Sequence, residues 1–129
     1  MRSLFFAVLA TLLVPAAAMA ADKGPSDTTD CFISGQWTDW SAPGNGDVLL
    51  LRVNTHDIYR VQLSEGSHVY RAPDRFLINE IRGSNWICSA LDLDLSVADH
   101  TGFRQGLIAR HLRKLTPDEI AHIPAKDLP

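Results

Sequence analysis

The chain has 129 residues, of which 46% are hydrophobic and 21% charged, and its 15 acidic residues outnumber its 12 lysines and arginines. This mildly acidic balance argues against nucleic acid as a partner, because domains that bind nucleic acid carry a basic surface. The length fits one domain with one hydrophobic core and excludes two domains.

The first 20 residues have the pattern of a secretory signal peptide. Arg2 provides a short positive region, residues 4–14 form an apolar core, and residues 18–20 form a small-residue cleavage site. The apolar core is shorter than the about 20 residues that a membrane-spanning helix needs, and no later segment approaches that length. We therefore expect a periplasmic or secreted protein that is cleaved near Ala20 and does not span the membrane.

The chain contains two cysteines, Cys31 and Cys88. In an oxidising compartment, two distant cysteines without a C-x-x-C motif are typical of a structural disulfide. Both cysteines have apolar sequence neighbours, whereas a reactive thiol needs an electropositive setting that lowers its pKa. We predict a disulfide between Cys31 and Cys88.

Residues 21–30 are polar and acidic, which predicts a flexible leader before a single disulfide-linked β domain over residues 31–123. A strand over about residues 32–40 is expected to lead, through the Pro-Gly and Asn-Gly turn signals of residues 41–47, into a hairpin. Alternation with a period of two predicts which hairpin side chains share a face. They are Leu49, Leu51 and Val53 on the first strand and Tyr59, Val61 and Leu63 on the second.

Two further strands are predicted in the second half of the domain. Residues 76–82 have the composition of a strand, and residues 91–97 alternate leucine and valine with aspartate and serine. Residues 103–114 fit the spacing of a helix and the spacing of a strand equally well, so periodicity does not decide between them.

A short helix is predicted after Thr116. Thr116 is a suitable N-cap, Pro117 suits the first helical position, and Glu119 completes a capping box. Residues 124–129 are expected to form a C-terminal tail. The sequence as a whole predicts a mainly β fold: a small antiparallel sheet (meander, sandwich or barrel-like) of five to seven strands, with one short C-terminal helix.

Four motifs follow one another along the chain: Asp-Cys-Phe at residues 30–32, a central hairpin containing Tyr59, Cys88 before an alternating strand, and Leu-Arg-Lys-Leu-Thr-Pro-Asp-Glu at residues 112–119. Their order resembles that of a family of small secreted proteobacterial proteins catalogued only as a domain of unknown function. The resemblance implies a strand, not a helix, around residues 107–114. It brings no catalytic residue to this chain.

No pattern in the sequence predicts a catalytic residue, a metal site or a cofactor. The five histidines form no metal-binding motif, and no Gly-x-Ser-x-Gly motif marks a hydrolase serine. Asp92 and Asp94 are expected on one face of the predicted strand, where they supply too few oxygen ligands for calcium. We interpret them as solvent-facing acids that keep the sheet soluble.

Three arginines are the remaining candidates for binding a partner. Arg52 and Arg60 are expected on the outer face of the central hairpin, and Arg71 follows it in the chain. Guanidinium groups bind phosphate and carboxylate groups, so these residues suit an anionic lipid head group, a cell-wall polymer or an acidic protein surface. An ordinary solvated strand face with cross-strand ion pairs is the competing interpretation.

The function expected from the sequence is a non-catalytic binding or structural module of the cell envelope, with a partner or ligand that the sequence does not name. The alternative is a small hydrolase or a metal-dependent enzyme with an unrecognised site. An enzyme predicts a deep pocket that collects histidine, aspartate and serine side chains. A binding module predicts a shallow face with exposed tryptophan and arginine.

Overall fold

The computed structural model describes residues 30–129. The predicted signal peptide and all but the last residue of the predicted leader lie outside the described residues. The described chain folds into three antiparallel sheets and one short α-helix, without a closed barrel. The prediction of a mainly β fold with a short C-terminal helix is therefore confirmed.

Nine strands and one α-helix follow one another along the described chain. In chain order they are β1 (Phe32–Ile33), β2 (Trp37–Ser41), β3 (Val48–Val53), β4 (Asp57–Leu63), β5 (Arg75–Asn79), β6 (Trp86–Ile87), β7 (Leu95–Asp99), β8 (Arg104–Leu107), β9 (Ala109–Lys114) and α1 (Pro117–Ala121). The sheets have the orders β2-β3-β4-β9, β5-β7-β8 and β1-β6. The strand count exceeds the predicted five to seven because two predicted segments are each split into two strands and because β6 lies outside every predicted strand.

The central hairpin of β3 and β4 forms as predicted. Leu49 lies opposite Val61, and Leu51 lies opposite Tyr59. All four side chains are buried, and burying each large apolar side chain is worth about 1.5–3 kcal/mol. Burial also raises the pKa of Tyr59 to about 12, with smaller contributions from two nearby carboxylates.

The predicted strand over residues 32–40 is interrupted. Ser34–Gln36 form a turn of 3-10 helix between β1 and β2, and the Gln36 side chain accepts a hydrogen bond from the Ile33 N–H at 2.9 Å. A side chain that bonds the local backbone competes with strand pairing, which explains why the alternating pattern did not reveal this break.

The predicted strand over residues 91–97 is also partly wrong, because β7 begins only at Leu95. The preceding residues form a 3-10 turn in which Leu91 is 94% exposed. The Asp92 carboxylate accepts hydrogen bonds from the N–H of Cys88 and of the next residue, both at 2.9 Å. These bonds, led by the one from Cys88, hold the pKa of Asp92 below its ordinary value.

Residues 103–114 contain two strands and no helix, whereas the resemblance implies one strand around residues 107–114. Only Ile108 separates β8 from β9, so the chain passes almost directly from the three-stranded sheet into the four-stranded sheet. Helix α1 then begins as predicted. The Glu119 N–H donates to Thr116 Oγ1 at 3.3 Å, and the Thr116 N–H donates to the Glu119 carboxylate at 2.9 Å.

Two apolar clusters cover the two faces of the central hairpin. The main core contains Phe32, Trp40, Leu49, Leu51, Val53, Tyr59, Val61, Leu63, Val69, Ile87, Leu95, Val97, Leu107 and Leu112. The second cluster joins Leu50, Ile58 and Leu115 to partly buried residues of α1 and the segment after it. The C-terminal residues thus pack on the outer face of the four-stranded sheet, where Ser41 Oγ donates to the Asp127 carbonyl at 2.6 Å.

The predicted disulfide between Cys31 and Cys88 is present and joins residues 57 positions apart. It lies directly beside the β1–β6 pair, in which Phe32 is opposite Ile87. The covalent bond and this short ladder therefore tie the same two segments together.

Replacing either Cys31 or Cys88 with alanine is expected to lower the free energy of unfolding by about 2–5 kcal/mol, because the bond constrains the unfolded chain. The double variant should lose no more than either single variant, since one bond is lost only once. Urea unfolding of the three variants without reductant measures the losses. A double variant clearly less stable than both single variants would contradict this prediction.

Gly46 should tolerate a side chain less well than Gly44. Both have a positive φ, +80° for Gly46 and +67° for Gly44, but an added Cβ at Gly46 would lie 2.1 Å from the Val69 carbonyl oxygen, whereas at Gly44 it meets nothing within 4 Å. Gly44→Ala should cost about 1 kcal/mol from φ alone, and Gly46→Ala roughly 1–3 kcal/mol more from the forced backbone shift. Thermal unfolding measures the loss of stability in each variant. Equal losses would contradict the close approach of Gly46 to the Val69 backbone.

Candidate binding cleft

A cleft of about 440 Å³ lies on the outer face of the four-stranded sheet. Residues of β3, β4 and β9 form its floor. One wall is the turn at residues 43–47, and the other wall is α1 with the residues that follow it as far as Asp127. The cleft exists because the C-terminal segment covers only part of this sheet face.

Arg60 lies on the floor of the cleft and is half-buried. Its Nη2 donates to Gln62 Oε1 at 2.8 Å, and Gln62 Nε2 donates to the Asp47 carbonyl at 3.1 Å. A neutral amide therefore connects Arg60 to the turn wall. Among the ion pairs of residues 30–129, none involves Arg60.

Arg113 lies directly opposite Arg60 on the neighbouring strand, a placement that destabilises a sheet when both charges are unpaired. Glu119 relieves the repulsion between the two arginines, because it accepts two hydrogen bonds from the Arg113 guanidinium, at 2.9 and 2.8 Å. The bonds from Arg113, followed by the bond from the Thr116 N–H, lower the pKa of Glu119 to about 2. Glu119 therefore stays ionised at neutral pH. Within the part of the chain that the structure describes, Arg60 is the floor arginine without a carboxylate partner.

The remaining lining combines apolar and polar groups. Leu50, Leu115 and Ile123 supply apolar surface. His122 Nδ1 lies 2.6 Å from the Asp118 carbonyl oxygen, and an N–H at Nδ1 can donate to that oxygen. Because several carboxylates also line the cleft, the cleft as a whole is not basic. It suits a ligand with a single anionic group better than a polyanion.

The other two predicted arginines lie elsewhere. Arg52 Nε donates to the backbone oxygen of Pro129 at 2.8 Å, so it anchors the C-terminal segment. Arg71 forms an ion pair with Asp39 at 3.1 Å, and its guanidinium carbon lies 5.7 Å from the centroid of the Trp40 ring. Of the three predicted arginines, Arg60 is the one that lines this cleft.

The predicted pair of strand carboxylates is not formed. Asp92 caps a 3-10 turn instead of lying on a strand, and Asp94 forms an ion pair with Arg82. Within residues 30–129, no three histidine, cysteine, aspartate or glutamate side chains form a group that could hold a metal ion. In the same part of the chain, no helix is long and apolar enough to cross a membrane.

No protein-family model, curated protein or solved structure matches the chain. The resemblance to a family of secreted proteins therefore stays a prediction.

The sequence pattern predicts the position of Arg60 on the outer face but not the cleft around it, because residues 124–129 are expected to form a C-terminal tail. A signal for the packed C-terminal segment is present in the sequence. Ile120 and Ile123 are three positions apart and Leu128 follows, which is enough apolar surface to require a partner. These residues contact the second apolar cluster.

Glu119→Gln is expected to lower stability at neutral pH by about 1 kcal/mol, since it weakens the capping box and removes an exposed ion pair. The folded-state pKa of about 2 is below the ordinary value of 4.5, so this contribution is present above about pH 4.5 and is lost as pH falls toward 2. Melting temperatures of the two proteins should therefore converge over that range. Asp118→Asn, in the same helical turn, is the control. A stability difference between Glu119→Gln and the unaltered protein that does not change with pH would contradict the lowered pKa of Glu119.

Proposed function

We propose that the protein is a non-catalytic binding module of the cell envelope that holds an anionic group of its ligand at Arg60. The supporting observation is the position of Arg60 in a cleft of about 440 Å³ without a carboxylate partner among the described residues. The disulfide supports an envelope location, because such bonds persist in oxidising compartments. The signal-peptide pattern of the sequence supports the same location.

The guanidinium of Arg60 has capacity for a ligand. A guanidinium carries five N–H donors, and within the described residues the Arg60 side chain bonds only Gln62. Charge-assisted bonds from arginine to carboxylate or phosphate are about twice as strong as neutral hydrogen bonds. Because Leu50, Leu115 and Ile123 also line the cleft, the ligand that fits has one anionic head and an apolar body.

The lining supports binding over catalysis. No serine, threonine, cysteine or lysine is among the described residues that line the cleft, and these residue types supply most side-chain nucleophiles. Among the acidic residues of the lining, Glu119 is already engaged by Arg113. The alternative of a hydrolase or metal-dependent enzyme has no comparable observation in its favour.

Octanoate and octyl phosphate are suitable probes, with octanol as the uncharged comparison. Both anions are expected to shift the backbone amide signals of residues 43–50 and 113–123 in ¹⁵N NMR titrations. Arg60→Gln should weaken anion binding roughly tenfold, the loss expected when one charge-assisted contact is removed. The affinity for octanol should be the same in this variant as in the unaltered protein.

Arg110→Gln is the matched control, because Arg110 is an exposed arginine on the neighbouring strand β9 and does not line the cleft. It should leave the affinity for both anions unchanged. Equal affinity for octanol and the anions, or equal losses in the two arginine variants, would contradict the proposed function. A difference between octanoate and octyl phosphate would identify the preferred head group.

A further inference from the structure

The unpaired charges that line the cleft around Arg60 have both signs. Arg113 and Glu119 neutralise each other on one side of the cleft. Asp47 in the turn wall and Asp127 in the opposite wall also line the cleft. Among residues 30–129, neither of these two carboxylates forms an ion pair or a hydrogen bond. The cleft therefore presents one guanidinium and two carboxylates that have no partner within the described chain.

The backbones of both aspartates are fixed to the four-stranded sheet. Gln62 Nε2 donates to the Asp47 carbonyl at 3.1 Å, and Gln62 Oε1 accepts from Arg60 at 2.8 Å, so one amide sets the spacing between Arg60 and Asp47. In the other wall, the buried Ser41 donates to the Asp127 carbonyl at 2.6 Å. The charged groups are therefore held at positions that the fold determines.

Opposite charges that line one cleft without contacting each other favour a ligand that carries both signs. A ligand with only an anionic group would bring its negative charge close to two carboxylates, and like charges repel. A ligand with only an ammonium group would leave the guanidinium of Arg60 without a partner. A ligand with both groups forms charge-assisted hydrogen bonds at each site, and the three N–H donors of an ammonium can serve two carboxylates.

We propose that the ligand of this cleft is zwitterionic: its anionic group binds Arg60, and a primary ammonium on the same molecule binds Asp47 and Asp127. This inference rests on the proposed function and specifies the ligand class further. The apolar body of the ligand packs on Leu50 and Leu115, which line the same cleft. Amino acids with apolar side chains and lipids with aminoethyl phosphate head groups share this chemistry.

Two matched pairs of probes test the ammonium group and distinguish the two sources. The first pair is 2-aminooctanoate and 2-hydroxyoctanoate, and the second is octyl 2-aminoethyl phosphate and octyl 2-hydroxyethyl phosphate. In calorimetric titrations at neutral pH, the amine of at least one pair should bind roughly tenfold more tightly than its hydroxyl counterpart, because it adds charge-assisted hydrogen bonds. The pair with the larger preference identifies the carboxylate or the phosphate source.

The double variant Asp47→Asn/Asp127→Asn should remove this preference. Asparagine keeps the shape of aspartate without its charge, so affinity for the amine probe should fall roughly tenfold, while affinity for the hydroxyl probe should not fall. A folding defect would instead weaken binding of both probes. Asp74→Asn is the matched control, because Asp74 is exposed and does not line the cleft, and it should leave both affinities unchanged.

The outcomes separate this inference from the proposed function. Equal affinities within both pairs, or a preference that persists in the double variant, would overturn the zwitterionic ligand. The proposed function would still hold if Arg60→Gln weakens binding of the hydroxyl probes. Octylamine binding as tightly as the amine probes would overturn the inference, because the anionic group would then contribute nothing. If none of the anionic probes binds, both proposals fail.

Discussion

The structure depends on covering both faces of the β3–β4 hairpin. Leu49, Leu50 and Leu51 are consecutive and all buried, although successive side chains of a strand point to opposite faces. One face therefore needs the main core, and the other needs the C-terminal segment around Leu115. Because that segment covers only part of the outer face, the same requirement creates the cleft that contains Arg60.

Glu119 connects the start of the helix to the electrostatics of the cleft. Its carboxylate closes the capping box at Thr116 and also accepts both hydrogen bonds from Arg113. One side chain thus satisfies the first turn of α1 and neutralises one of the two facing arginines. The same contact therefore fixes the helix position and leaves Arg60 as the floor arginine without a carboxylate partner within residues 30–129.

Local patterns predicted the features that depend on neighbours in the sequence. The strict alternation around Leu51 and Tyr59 predicted the hairpin faces, and the capping residues at Thr116 predicted the start of the helix. The cleft could not be predicted in this way, because its wall depends on the bond between Ser41 and Asp127, which are 86 positions apart. The exposed Leu91 was missed for the opposite reason, since a very short-range cap overrides the alternating pattern.

The turn that displays Leu91 has a consequence for the resistance of the chain to proteases. An exposed loop tip is normally a preferred site of proteolytic cleavage, because it can extend into a protease groove. Leu91, at 94% exposure, presents an attractive side chain, but Cys88 just before it is bound covalently to Cys31 and hydrogen-bonded to Asp92 just after it. The turn cannot extend without breaking the hydrogen bonds to the Asp92 carboxylate, so cleavage at Leu91 requires local unfolding of the turn.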